Sequence, residues 1–96
     1  MYRIIDDRGS GKTSRLMLLA KETHGTIVCS NPHAMAQKAK AYGLVGIDFM
    51  GYHDFLNSKG VELNNYYIDE LETFVQYAAW EMAGHGNFAG YTLSLE

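Results

Sequence analysis

Apolar residues fall in short blocks along this chain, each closed by glycine, asparagine or a charged residue. Tyr2 to Asp6 is a short apolar run opening onto a glycine-rich turn, which predicts a buried strand. Lys12 to Thr23 carries Leu16, Leu19 and Ala20 at helical spacing and stops before Gly25. Thr26 to Cys29 is a second β-rich run. Ser30-Asn31-Pro32 then offers a capping residue and a proline suited to a first helical turn, and Met35, Ala39 and Tyr42 mark the apolar face of a helix ending at Gly43. Leu44 to Met50 predicts a short strand bent by Gly46 and Asp48. Asp54-Phe55-Leu56 predicts one helical turn, and the stretch through Gly60 and Asn64-Asn65 is the least regular.

Asn65 to Asp69 is again a strand pattern, rising to an acidic pair. Leu71, Phe74, Val75, Ala78 and Met82 repeat at three and four residues, so Glu70 to Ala83 reads as an amphipathic helix with a core-facing stripe, stopped by Gly84. After a turn through His85-Gly86-Asn87, Gly90 to Leu95 predicts a closing strand. Strands alternating with helices imply one α/β domain over residues 1–96. The expected form is a three-layer sandwich on a mostly parallel sheet of about four to five strands.

Composition narrows this picture. No apolar run approaches the ~20 residues of a membrane span, and Met1-Tyr2-Arg3 leads into Ile4-Ile5-Asp6-Asp7 without a secretory pattern. The expectation is a soluble, cytoplasmic protein that does not engage membranes. The single cysteine, Cys29, sits in an apolar run and reads as a small buried hydrophobe. Eleven acidic residues against eight basic ones argue against a broad nucleic-acid face. Yet Arg3, Arg8, Lys12 and Arg15 place half of the basic side chains in the first fifteen residues, where a phosphate would sit.

Gly9-Ser10-Gly11-Lys12-Thr13 lies between the first predicted strand and the first predicted helix. Glycines there let successive N–H groups turn inward as an anion nest at a helix N-terminus. The segment resembles the phosphate loop of P-loop NTPases. That resemblance implies nucleotide contacts from Gly9, Ser10, Gly11, Lys12, Thr13 and Ser14, with Lys12 at the β- and γ-phosphates and the Thr13 hydroxyl on Mg²⁺. The family pattern wants glycine where this chain has Asp6, whose carboxylate would repel a triphosphate unless it turns away or pairs with Arg8.

Tyr66-Tyr67-Ile68-Asp69-Glu70 resembles a Walker B motif of the Asp-Glu type, as in RecA-like and helicase motor cores, possible phage or prophage relatives included. By that resemblance Asp69 would hold magnesium through water, and Glu70 with Lys12 would be catalytic, Glu70 orienting the attacking water. A bare acidic start to a helix would explain the carboxylates alone. Thr92 and Ser94, two apart on the last predicted strand, stand where such cores keep a polar sensor. Ile27 to Asn31 and Phe49 to Phe55 are similar to further helicase segments, while His53 carries no metal-ligand spacing with His24, His33 or His85. The aromatic residues read mainly as core, and Trp80, off the apolar stripe, as a partner contact.

The expected function is binding of ATP with Mg²⁺ and slow hydrolysis by a small motor-like ATPase core. No arginine follows Arg15, so a protein partner or a second copy would supply one, with Arg8 a poor internal substitute. The alternative is a non-hydrolysing nucleotide-binding switch or assembly module. Nucleic-acid binding by the isolated chain is expected to be weak or absent.

Overall fold

The computed structural model describes residues 1–6, 9–58 and 65–94. Its elements are α1 (Lys12–Thr23), β1 (Thr26–Cys29), α2 (Pro32–Ala41), β2 (Asp48–Gly51), α3 (Tyr52–Leu56), β3 (Tyr66–Ile68) and α4 (Leu71–Ala83). The irregular stretch around Gly60 and Asn64 lies outside the described residues, as does Leu95 at the end of the predicted closing strand.

Among the described residues the sheet has three strands in the order β2-β1-β3, both pairings parallel. All four residues of β1 are buried, as a central strand covered on both faces requires. Ile27 lies in register between Phe49 and Tyr67. On this face Ile27 and Cys29 meet Met17 and Ala20 from α1 and Ala39 from α2, with Met35, Leu44 and Ile47 closing around them. Val28, pointing the other way, lies between Met50 and Ile68 and is equally buried.

That second face is built from aromatic rings. Tyr66 packs its ring 4.8 Å from Phe55 of α3, and Phe74 of α4 meets Tyr52 and Phe55 at 5.2 Å and 5.9 Å. Local signals set the helix ends. The Asn31 side chain accepts from the Ala34 amide at 3.0 Å, with Pro32 in the first turn, so α2 starts where the capping pattern placed it. At the end of α1 the Thr23 hydroxyl and the Tyr67 hydroxyl are hydrogen bonded at 2.9 Å. Gly25 beside them has no room for a side chain unless its neighbours shift: an added Cβ would lie 2.8 Å from the Tyr67 ring and 3.0 Å from the Asn65 carbonyl oxygen.

Several expectations are corrected. Neither Tyr2 to Asp6 nor the described part of Gly90 to Leu95 joins the sheet, so among the described residues three strands stand where about four to five were expected. The first segment is held by its last residue, Asp6, to α1 instead, and Ile5 stays 69% exposed. The last segment folds toward α4, where the Tyr91 hydroxyl donates to the Glu72 carboxylate. The ladder of β2 begins only at Asp48, because Gly46 turns the chain with a left-handed φ of 82°. On α1, Ala20 is buried as its spacing implied and Leu16 and Leu19 are half-buried, while Met17, which the spacing left out, is buried beside Ala20. Tyr42 is exposed as the C-cap of α2. The stripe of α4 buries no residue fully, with Phe74 and Val75 only half-buried. Among the described residues no helix is long and apolar enough to cross a membrane.

Candidate functional site

Two turns meet at the carboxyl end of the sheet, one leading into α1 and one joining β3 to α4. In the first, Gly9 and Gly11 have φ of 83° and 82°, left-handed values that glycine adopts without a Cβ penalty. Gly11 is the N-cap of α1, and among the described residues no side chain caps its first-turn amides. Lys12 closes the loop on itself, its Nζ donating to the Asp6 carbonyl oxygen at 2.9 Å. The Asp6 carboxylate, whose charge threatened to repel a phosphate, accepts from Arg15 Nη2 at 3.3 Å. Both side chains are 49% exposed, so the pair redirects charge more than it stabilises the fold. Arg8, the partner the sequence suggested, lies with Asp7 outside the described residues.

The second turn is anchored at Asp69. Its amide donates to the Val28 carbonyl at 2.9 Å, extending the ladder one residue beyond β3. The Tyr52 hydroxyl, at the start of α3, donates to the Asp69 carbonyl at 2.8 Å and to the Glu70 carbonyl at 3.4 Å. Across the gap, the Thr13 hydroxyl donates to Asp69 Oδ1 at 3.2 Å, linking the first turn of α1 to the end of β3. Lys12, Thr13 and Asp69 are therefore brought together. Gly9 and Ser10 lie exposed in the loop before them, and Ser14 is half-buried in the next position of α1.

Electrostatics agree with this packing. Burial raises the Asp69 carboxyl above its ordinary range, the Thr13 hydrogen bond opposes the shift, Glu70 adds to it, and Lys38 and Lys12 pull it down. The Cys29 thiol is pushed up to about 11, mainly by burial and then by the Asp69 charge, which keeps it neutral. At 1% exposure it is the small buried hydrophobe its apolar run suggested. Tyr52 is pushed up to about 12 by burial, then by Asp69, so its hydroxyl remains a donor.

Not every predicted residue arrives. Glu70 is exposed at the N-cap of α4, with a left-handed φ of 60°, and no side chain caps the helix there. Thr92 and Ser94 are exposed in the unpaired segment after α4, so the sensor position at a strand end is not formed. His53 bonds Glu81 at 2.8 Å, and no group of three or more His, Cys, Asp and Glu side chains suited to a metal occurs among the described residues. Trp80 is 63% exposed, as its position off the stripe implied.

Sequence reasoning missed Arg15 as the partner of Asp6, Tyr52 as the brace of the acidic turn, and Lys38. Lys38 lines a hollow of about 160 Å³ with Ser30 and Asn31, and its charge acts on Asp69. Its spacing three residues after the half-buried Met35 was the available signal, since residues so spaced share a helix face. Tyr52 gave none, lying among other aromatic residues with nothing to single it out.

No protein-family model matches the chain, no curated protein matches it, and no solved structure matches it. The chemistry therefore rests on the residues themselves. A hydroxyl and a carboxylate offer hard oxygen ligands beside a lysine and an uncapped helix N-terminus, a combination suited to a divalent cation and a multiply charged anion.

Proposed function

We propose that the loop Gly9 to Thr13 binds a nucleoside triphosphate, ATP, with Mg²⁺, in a P-loop NTPase-like arrangement. The observation that carries this reading is the Thr13–Asp69 hydrogen bond, which couples the two turns on which the motifs lie. Phosphoryl chemistry needs a lysine, a cation and acidic residues to converge, and this bond supports their convergence. The donor set fits the ion: Thr13 and Asp69 would hold magnesium, and a single carboxylate is enough where phosphate oxygens and waters complete the shell. Bound there, the ion would neutralise charge on the phosphates. Lys12 would leave the Asp6 carbonyl for the β- and γ-phosphates, and Arg15 holds the Asp6 carboxylate off them.

Slow hydrolysis is the first form of the proposal, with Glu70 orienting water and a partner or second copy supplying an arginine. A non-hydrolysing switch is the second form. It is favoured by one observation: Asp69 is held by three hydrogen-bonding partners, whereas Glu70 is exposed. The binding half is thus better anchored than the turnover half.

Titration of the chain with ATP, with and without Mg²⁺, tests the shared part. Saturable, magnesium-dependent binding lost in Lys12→Ala is expected, and no saturable binding by the unaltered chain rejects both forms. Glu70→Gln separates them: it traps bound ATP if the chain hydrolyses it and changes little if the chain is a switch.

A further inference from the structure

Tyr52, whose hydroxyl braces the acidic turn and which is only 5% exposed, also lines an open cleft of about 380 Å³ bounded by α3, α4, Ser30 and Pro32. Facing it is Tyr77, with ring centroids 5.9 Å apart and planes tilted by 48°. Asp54 supplies a carboxylate to the lining, and among the described residues no lysine or arginine contributes to it. His53, also in the lining, bonds Oε1 of Glu81 at 2.8 Å. The other Glu81 oxygen, Oε2, is buried and has no hydrogen-bond partner among the described residues. On α4 Thr73, Tyr77 and Glu81 recur every fourth residue and form one row, with Trp80 exposed next to it.

The half-buried Tyr77 ring and the exposed Asp54 carboxylate are surroundings a compact cation prefers, through cation–π attraction and a charge-assisted hydrogen bond. A phosphate would meet Asp54 and be repelled. The charge of the chain points the same way, because from residue 16 onward nine acidic residues stand against four lysines and no arginine. We propose that this cleft docks the cationic side chain, arginine or lysine, of a basic segment on a protein partner. The occupant touches Tyr77, whose ring packs on that of Tyr52, the residue bonded to the Asp69 and Glu70 carbonyls. The proposal stands on the cleft alone and does not require nucleotide binding.

The emission of Trp80, the only tryptophan, reports occupancy in the full chain. The probe is a hexapeptide alternating glycine and arginine, compared with the same peptide carrying citrulline, the neutral isostere. Saturable binding of the arginine peptide is expected, weakened about tenfold or more by citrulline, and about three- to tenfold by Asp54→Asn or by Tyr77→Leu. Tyr77→Phe keeps the ring and should bind as the unaltered chain does, so a loss caused by general loosening is told apart from loss of the aromatic wall. Equal binding of the citrulline peptide overturns the proposal. So does an equal loss in Asp48→Asn, a charge removed from β2 outside the cleft lining, because the attraction would then be diffuse. Saturable binding of a single-stranded oligonucleotide to the chain without peptide, or self-association of the chain, either of them lost in Tyr77→Leu and kept in Tyr77→Phe, assigns the cleft to that occupant and rejects a basic partner.

Discussion

α1 and α4 are nearly equal in length, twelve and thirteen residues, and α4 is by composition the more apolar. Yet α1 buries Met17 and Ala20 completely, and α4 buries nothing completely. The difference lies in what each helix meets. α1 lies against β1 and β3, whose side chains present an apolar surface. α4 instead reaches the fold through a few rings of α3, and Leu71 and Met82 remain 54% and 86% exposed. Burial is a property of the partner surface as much as of the sequence that seeks it.

The sharpest way to break this comparison is one substitution made in both helices. Met17→Ala removes a side chain with 0% exposure from the centre of the core, and should cost about 2–5 kcal/mol through lost transfer energy and the cavity left behind. Met82→Ala removes one that is 86% exposed, and should change stability by no more than about 0.5 kcal/mol. Urea unfolding of both variants measures the two values. Equal losses would mean that α4 has an apolar partner in solution and that the contrast drawn between the helices is mistaken.

The glycine after each helix gives the next test. Gly25 follows α1 in a crowded place, where a methyl group meets the Tyr67 ring at 2.8 Å and the Asn65 backbone at 3.0 Å. Gly84 follows α4 with open space around it and a left-handed φ of 75°. Gly25→Ala should therefore cost about 1–3 kcal/mol by overpacking. Gly84→Ala should cost about 1–2 kcal/mol, from the left-handed backbone conformation alone. Thermal unfolding ranks the pair, and a larger loss at Gly84 would show that the α1–β3 junction yields more easily than its contacts imply.

These helices also show what the sequence could reveal. The bounds of α1, β1 and α2 were legible because periodicity, the Asn31-Pro32 cap and the glycines after the helices are local signals that act without tertiary help. The convergence of Lys12, Thr13 and Asp69 was legible through motif order alone. Among the described residues neither terminal segment pairs, because the short apolar run of Tyr2 to Asp6 states a preference for burial and cannot supply a neighbouring strand. The tie of Asp6 to Arg15, and the reach of Tyr52 to the Asp69 carbonyl, depend on side chains meeting across elements, which no spacing encodes.

Asp69 is where the two regions join, held by Thr13 of α1 on one side and followed through Glu70 by α4 on the other. Burial raises its carboxyl above the ordinary value, so folding favours the protonated form. At a pH below the ordinary carboxylate value both folded and unfolded chains are protonated there, and the group adds no penalty. As pH rises from that value through the raised folded one, the unfolded chain releases its proton first and stability falls, and above the folded value the whole penalty is present. Asp69→Asn keeps an oxygen to accept from Thr13 but has no charge to bury. Its stability should lack this decline, leaving it equal to or slightly above the unaltered chain near neutral pH, an effect smaller than either substitution above and opposite in sign. Unfolding curves across the acidic to neutral range decide the point. If the two proteins show the same pH dependence, the carboxylate is not buried enough to matter, and the junction belongs with loosely packed α4 instead of firmly seated α1.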